Sequence, residues 1–235
     1  MNSTAKNIFY AVATIITALA IACGFIYDHF FSSEAKYLGI ISSSLGLIAL
    51  NLIIQNRSTA KSRALKGFYF GLVFALTGLH WMFYFNPVYG PEIEIFLWPL
   101  ILFVILLIPV QSCLWFIICT SNSIANLRSW ARILVWASFW VTLDIAREYF
   151  FNMPWLILGT VWHDVPFVAQ LASCIGLHGI SFLWFLLSAS LACIIKTPDK
   201  TVFSSLCGVA LLISASVYFV ANLTIQENTE ATSRI

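Results

Sequence analysis

IFLWPLILFVILLIPVQSCLWFIIC, residues 95–119 of the chain, runs without a single charged side chain. About 20 apolar residues in helical form cross the hydrocarbon core of a bilayer. Because backbone N–H and C=O groups in lipid must be paired within their own segment, a stretch of this kind predicts a membrane-spanning helix. A transmembrane β-barrel would instead show short segments of alternating hydrophobicity, which this stretch does not have.

The rest of the chain has the same character as this stretch. Hydrophobic residues make up 60% of it and charged residues 9%, with a mean hydropathy of +0.91, whereas a soluble domain carries about 25% charged residues. The sequence therefore predicts an all-α integral membrane protein, a single bundle of seven transmembrane helices over residues 1–223 with a short polar tail at 224–235. The predicted spans are residues 8–27, 37–54, 67–85, 95–119, 133–151, 171–195 and 202–223.

The placement of Lys and Arg predicts the orientation of the bundle, because these residues concentrate in cytoplasmic loops. With the N-terminus in the cytoplasm, nearly all basic residues lie inside, and the loop 86–94, which has two Glu and no basic residue, lies outside. Seven spans then place the C-terminus in the periplasm. A nucleic-acid patch is the alternative for the basic loop 57–66, but cations in a short loop beside a span are typical of a topology signal, so no nucleic-acid partner is expected. The inner cations are Lys6, Arg57, Lys61, Arg63, Lys66, Arg128, Arg132, Lys196 and Lys200, and the outer ones are Lys36 and Arg234.

The six cysteines all lie within predicted spans, none in a CxxC pair and none beside His at a zinc-like spacing. They indicate small polarisable core residues, so no disulfide framework, metal site or cofactor is predicted. The residues AIAC at 20–23 suggest a lipoprotein-type cleavage site. Because the apolar run continues past Cys23, the first span is interpreted as an uncleaved helix.

Glycines and aromatic residues mark the third predicted span. Gly67, Gly71 and Gly78 share one face in a GxxxG-like pattern, which favours close packing of a neighbouring helix. His80 and Trp81 follow in an aromatic cluster that is typical of a membrane interface. A histidine at such a place is either an interfacial, hydrogen-bonded residue or a functional one, and the spacing alone leaves both interpretations open.

Charged side chains lie inside the fifth predicted span. Spacings of three and four residues put Asp144, Arg147 and Glu148 on one helical face, where Arg147 can pair with Asp144 and Glu148 needs another partner. Ionisable groups at membrane depth are costly and are candidates for function. A structural ion pair that fixes helix packing is the alternative, and the sequence does not separate the two.

Residues 151–164 form an apolar segment too short to cross a bilayer, which suggests a re-entrant or interfacial segment. Pro154 ends the preceding helix, and Trp155 and Trp162 are expected to anchor the segment at headgroup depth. His163 and Asp164 follow as a titratable pair at the mouth of the bundle. In the next span, Gly176 and Gly179 are expected to allow close approach of backbone or lipid beside His178.

Taken together, these motifs resemble the membrane domain of bacterial apolipoprotein N-acyltransferase, in order and spacing over residues 67–186. The resemblance implies a bacterial inner-membrane protein that takes part in transfer of an acyl chain from a phospholipid to the N-terminal cysteine of a lipoprotein. The landmarks are GLHW at residues 78–81, DIAR at 144–147 followed by MPWL at 153–156 and Gly159, and GLHGISF at 176–182.

The family carries its acyl thioester on a Cys, with a Glu and a Lys, in a nitrilase-like domain after the seventh helix. Here only residues 224–235 follow the last predicted span, and no cysteine matches that context. A thiolate nucleophile needs a base and an oxyanion hole, which a Cys within an apolar span lacks. We therefore expect a truncated or split transferase, inactive alone, with a nitrilase-like partner in trans.

Two other functions remain open from the sequence. One is a non-catalytic scaffold or lipid-binding protein derived from the same fold. The other is a small transporter, which the lack of an inverted repeat disfavours. The expected ligands are a phospholipid and a lipoprotein substrate, and no catalytic residue is assigned. The predicted lipid or substrate contacts are His80, Trp81, Asp144, Arg147, Glu148, Pro154, Trp155, His163, Asp164 and His178.

Overall fold

The computed structural model describes residues 3–30, 35–56, 59–84 and 91–196, together with Val202, Phe203 and Leu206. This part of the chain is all-helical, with seven α-helices, two short 3-10 helices and no strand. The predicted helical class is therefore confirmed for these residues. The α-helices are α1 Ser3–Phe30, α2 Ala35–Ile54, α3 Ala60–Gly78, α4 Pro91–Cys119, α5 Asn122–Ala125, α6 Ser129–Phe151 and α7 Pro166–Lys196; the 3-10 helices are His80–Tyr84 and Leu158–Trp162.

Four stretches of the described helices are long and apolar enough to cross a membrane: Ile8–Ile26, Tyr37–Ile54, Trp98–Cys119 and Pro166–Lys196. Helix α6 covers the fifth predicted span, whereas α3 overlaps the third, 67–85, only over residues 67–78, because the helix ends at Gly78 and a 3-10 helix follows. Both helices carry charged side chains, which lower their hydropathy. The chain is thus a membrane-type helical protein. The number seven stays a prediction, because the last span and the tail, residues 202–235, lie almost wholly outside the described residues.

Small residues bring neighbouring helices together, as their pattern predicts. In α2, the Ser42 and Ser43 hydroxyls donate to the Ala20 and Ile21 carbonyls of α1, at 3.0 and 2.7 Å. In α3, Gly67 and Gly71 lie against the backbone of α4, where a Cβ on either would collide with main-chain atoms. The close packing predicted from the GxxxG pattern is confirmed.

Aromatic side chains fill the centre of the bundle. Trp140 lies 5.5 Å from Trp115 and 5.3 Å from Phe185, measured between ring centroids, so α6, α4 and α7 meet there. The indole N–H groups of Trp115 and Trp136 donate to the Trp136 and Cys119 carbonyls at 3.1 and 2.8 Å. The N–H groups of these two buried indoles thus pair with backbone carbonyls, as an apolar interior favours.

Helix α7 is broken at Gly176, whose φ of 71° and ψ of 171° lie outside the helical region. Val168, Leu171 and Ile180 share one buried cluster, although a straight helix would separate the first and last by about 18 Å. Residues 166–175 therefore fold toward residues 177–196. The sixth predicted span, 171–195, overlooked this break, which only glycine accommodates readily.

The structure tests only part of the predicted close approach at Gly176 and Gly179. A Cβ on Gly176 would meet no described atom within 4 Å, so the need for glycine there is conformational, whereas one on Gly179 would collide with the side chain of Ile175, on the other side of the break. Approach of a lipid chain to either glycine stays a prediction. A close backbone approach occurs at Gly159, where a Cβ would collide with the carbonyl oxygen of Leu177.

Candidate functional site

The segment between α6 and α7 folds back onto the bundle. Asn152 ends α6 in the left-handed conformation, with φ 52° and ψ 42°, and Leu156 has φ 60°. The side chains of Met153, Ile157 and Leu158 are buried in the core. This geometry agrees with the prediction that residues 151–164 do not cross the membrane. The depth of this segment in a bilayer stays a prediction.

Arg147 is the centre of a buried polar network. Its Nη2 lies 3.2 Å from Asp144 Oδ1, with the two side chains 3% and 1% exposed, so the predicted ion pair is present. The same guanidinium donates from Nε to the Met153 carbonyl at 3.3 Å and from Nη2 to the Trp155 carbonyl at 2.7 Å. Arg147 therefore clasps the turn on both sides of Pro154.

Gln111 of α4 completes the network and was missed by the sequence analysis. Its amide donates to Asp144 Oδ1 at 2.9 Å, and its carbonyl oxygen accepts from Arg147 Nη1 at 3.1 Å. The signal was the single amide within residues 95–119, two residues after Pro109. Every nitrogen of the Arg147 guanidinium thus has a protein partner, which makes Arg147 a positioning residue in this structure.

The polar partner that Glu148 requires is His178. Its Nε2 lies 2.7 Å from Glu148 Oε2, and both side chains are partly exposed. The pair joins α6 to α7 two residues beyond the break at Gly176. Asp144, Arg147 and Glu148 share one helix face, but Glu148 is directed to α7 while the other two are directed to α4 and the turn.

A cleft of about 440 Å³ opens beside this turn. Trp81 and Trp155 meet edge to face across it, with ring centroids 5.7 Å apart. We call it the tryptophan cleft. It is lined by Gly24 and Phe25 of α1, Gly78 and Leu79 at the end of α3, Trp81, and Pro154, Trp155, Leu156, Thr160, Val161 and His163 of the returning segment.

The structure brings four of the predicted contacts into the tryptophan cleft: Trp81, Pro154, Trp155 and His163. Asp164 lies beside it, with its Oδ1 3.4 Å from His163 Nε2. His80 is not a lining residue, and its ring Nδ1 lies 2.8 Å from the Thr77 carbonyl oxygen. Asp144 and Arg147 lie behind the turn, and Glu148 and His178 form a separate pair. Direct lipid contact by any of the ten residues stays a prediction.

The three sequence landmarks meet around this cleft. Gly78, from the first landmark, lies against the side chain of Leu156 in the second. Gly159 donates its backbone N–H to the Ser181 hydroxyl, from the third landmark, at 2.7 Å. Ser181 in turn donates to the Leu177 carbonyl at 3.2 Å. Residues distant in sequence thus fix one turn and the cleft that it borders.

The described residues hold no group of three or more His, Cys, Asp or Glu side chains able to bind a metal ion. Residues 29–190 match the model of a family described as the apolipoprotein N-acyltransferase N-terminal domain, and this range contains all three landmarks and the tryptophan-lined turn. No curated protein matches the chain significantly.

Proposed function

The chain belongs to the apolipoprotein N-acyltransferase N-terminal domain family, and from this premise we propose that it is the membrane platform of a phospholipid-to-lipoprotein N-acyl transfer. The observation that carries the proposal is that three separate landmarks meet at the returning segment, which borders the tryptophan cleft. Binding sites need side chains that packing and outer hydrogen bonds hold in place, and this cross-braced turn supplies such support.

The tryptophan cleft is the proposed lipid site. Its volume of about 440 Å³ lies within the range of ligand pockets, which are mainly apolar with a few polar groups. Trp81 and Trp155 offer indole faces of the kind that collect at lipid headgroup depth. His163 places an imidazole at the lining, with Nδ1 2.9 Å from the Thr160 carbonyl oxygen, so the protonated ring has an Nε2–H to donate to a phosphate oxygen. The acyl chain then lies along Phe25, Leu79 and Val161.

Arg147 acts in this proposal through the turn that it clasps. It fixes the main chain on either side of Pro154, and so fixes the Trp155 indole that forms one wall of the cleft. A ligand that is held to within a fraction of an ångström of the reactive position reacts many times faster than a misplaced one. Asp144 and Gln111 hold the guanidinium, and Glu148 with His178 holds α7 against α6.

The acyl-carrying thiol is proposed to come from a nitrilase-like domain that acts with this chain. Cys119 and Cys193 are buried in the bundle, where a lipid substrate cannot reach their sulfur atoms, and Cys193 has the Arg132 guanidinium 3.8 Å from its Sγ. Exposed Cys174 has the Ser173 hydroxyl as its nearest polar side-chain contact, at 3.8 Å, and a hydroxyl is no general base. We expect the chain alone to transfer no acyl group.

The proposed arrangement is seven spans in the bacterial inner membrane, with the N-terminus in the cytoplasm and the C-terminus in the periplasm. Among the described residues, the helix ends nearest Lys61, Arg132 and Lys196 carry cations and no carboxylate. The carboxylates of Glu148 and Asp164 lie toward the other end, beside the turn. This charge distribution supports the orientation expected from loop composition.

A scaffold that binds lipid without chemistry is the second candidate, favoured by the burial of Cys119 and Cys193. An acylation assay separates the two functions. The chain is reconstituted with a phospholipid carrying a labelled acyl chain, a diacylated lipopeptide and a separately purified nitrilase-like domain of an apolipoprotein N-acyltransferase. We expect labelled lipopeptide only when chain and domain are both present.

The matched variants are Trp155→Ala and Trp130→Ala, an exposed tryptophan at the start of α6, far from the cleft. Trp155→Ala is expected to lower the acylation rate at least tenfold, and Trp130→Ala to leave it unchanged. Equal rates in the two variants would reject the cleft as the lipid site. Bound lipid without acylation, in the presence of the domain, would establish the scaffold instead.

A further inference from the structure

A second cleft lies at the opposite end of the bundle from the tryptophan cleft. It has a volume of about 270 Å³ and is enclosed by the starts of α1 and α3. Its described lining includes Thr59, Lys61, Ser62, Leu65, Lys66 and Tyr69, and we call it the lysine cleft. Nothing in the proposed acyl transfer uses it, because the turn that borders the tryptophan cleft is at the other end of α3.

The two lysines differ in their surroundings. Lys61 is exposed at the mouth of the cleft, and Lys66 is half-buried with its ammonium 5.1 Å from the centroid of the Tyr10 ring. The described residues place no carboxylate within salt-bridge distance of either ammonium group. Lys66 has the Tyr10 ring on one side, and its charge favours an anion that enters the cleft on the other. The hydroxyls of Thr59 and Ser62 add polar groups of the kind that bind phosphate oxygens.

The rest of the lining is apolar. Leu65 and Tyr69 are 50% and 42% exposed, and Phe68 beside them is 36% exposed, so this face of α3 has the character of a lipid-facing surface. An inorganic phosphate would use the two ammonium groups and leave these side chains uncovered. A glycerophospholipid uses both parts, with its phosphate at the lysines and its acyl chains along the apolar side chains.

We propose that the lysine cleft binds the headgroup of an anionic glycerophospholipid between α1 and α3. The Lys61 and Lys66 ammonium groups contact the phosphate, and Leu65 and Tyr69 contact the first carbons of the acyl chains. This lipid undergoes no reaction. It binds at the other end of the bundle from the lipid whose acyl chain is transferred, and it contacts both α1 and α3.

The test measures phospholipid bound to the detergent-purified chain, by native mass spectrometry at increasing concentrations of phosphatidylglycerol or phosphatidylcholine. We expect the chain to bind phosphatidylglycerol more tightly than phosphatidylcholine. The double variant Lys61→Gln, Lys66→Gln should bind phosphatidylglycerol about 30-fold more weakly, because each basic residue near an anionic lipid contributes about a fivefold factor. Arg128→Gln, an exposed cation of the same end outside the cleft, is the matched control and should bind like the unmodified chain.

A competition measurement and a single variant can each reject the proposal. Inorganic phosphate and glycerol phosphate are added as competitors, and displacement of phosphatidylglycerol at equal concentrations would assign the cleft to free phosphate. Lys61→Gln alone removes only an exposed side chain, so it reports on binding even if the double variant fails to fold. Unchanged phosphatidylglycerol binding in Lys61→Gln and in the folded double variant would overturn the proposal.

Discussion

Arg147 shows how a charge at membrane depth becomes tolerable. Its guanidinium has a carboxylate, an amide and two backbone carbonyls around it, all within 3.3 Å. The planar fork of arginine reaches several acceptors at fixed angles, and lysine has no such geometry. The residue therefore does two things at once: it neutralises Asp144, and it orders the turn that carries Trp155.

Replacing Arg147 by alanine should destabilise the protein by about 3–5 kcal/mol, because Asp144 would remain buried without its cation. The double variant Asp144→Asn, Arg147→Met should lose clearly less, since no charge is then left in the core. The measurement is the unfolding midpoint in a mild detergent titrated with dodecyl sulfate, followed by tryptophan fluorescence. Arg128→Ala, with an exposed side chain, serves as the control and should not shift the midpoint. A double variant as unstable as Arg147→Ala would show that the cost is not that of an uncompensated charge.

The sequence was sufficient to predict the Asp144–Arg147 pair, because a spacing of three residues on a helix determines which side chains can meet. It also indicated that Glu148 needs another partner, although it did not predict that the partner is His178. The Met153 and Trp155 carbonyls could not be predicted as acceptors. Their position depends on the left-handed conformations at Asn152 and Leu156. Asparagine is common in this conformation at a helix end, but nothing in the sequence indicates it for Leu156.

At the scale of helices, the break in α7 is the feature that most alters the predicted architecture. Gly176 makes residues 177–196 a separate helix of about 30 Å, enough to cross a hydrocarbon core, and leaves residues 166–175 against its side. The apolar run through residues 171–195 is continuous, so hydropathy alone could not locate the break. The glycine was visible in the sequence, but its role was assigned to close packing.

Gly176→Ala tests this assignment directly. The added methyl group meets no described atom within 4 Å, so the whole effect should come from the unfavourable φ of 71°. We expect a loss of about 1–3 kcal/mol in unfolding free energy, measured in the same detergent titration. Ser173→Ala, an exposed position of the same helix, is the control and should change stability little. A neutral or stabilising Gly176→Ala would mean that α7 is a continuous helix.

At the scale of the whole molecule, apolar run length predicted the described long helices, because lipid demands internal backbone pairing and so leaves few alternatives. The meeting of the three landmarks could not be derived in this way. It depends on which helices are neighbours, and that follows from small residues such as Gly67, Gly71 and Gly159 only once the partner backbone is known. The sequence thus predicted the elements and the residues of interest, and the packing determines which of those residues share a site.

The two clefts lie at opposite ends of the bundle. The side of the membrane on which each cleft opens therefore tests the orientation of the whole chain. In a version with all six cysteines replaced, a single cysteine is introduced by Asp164→Cys, beside the tryptophan cleft, or by Lys61→Cys, at the lysine cleft. Both positions are exposed, so access to a reagent depends only on the side of the membrane.

If cations mark the cytoplasmic side, an impermeant maleimide should label Asp164→Cys in bacterial cells whose outer membrane alone is permeable. It should label Lys61→Cys only after the inner membrane is also opened. The cysteine-free chain is the control and should take no label. Labelling of Lys61→Cys from the periplasm would invert the bundle and place the lysine cleft, not the tryptophan cleft, where lipoproteins mature. The acyl-transfer proposal would then fail, while lipid binding at either cleft could persist, so the orientation and the two binding proposals can be judged separately.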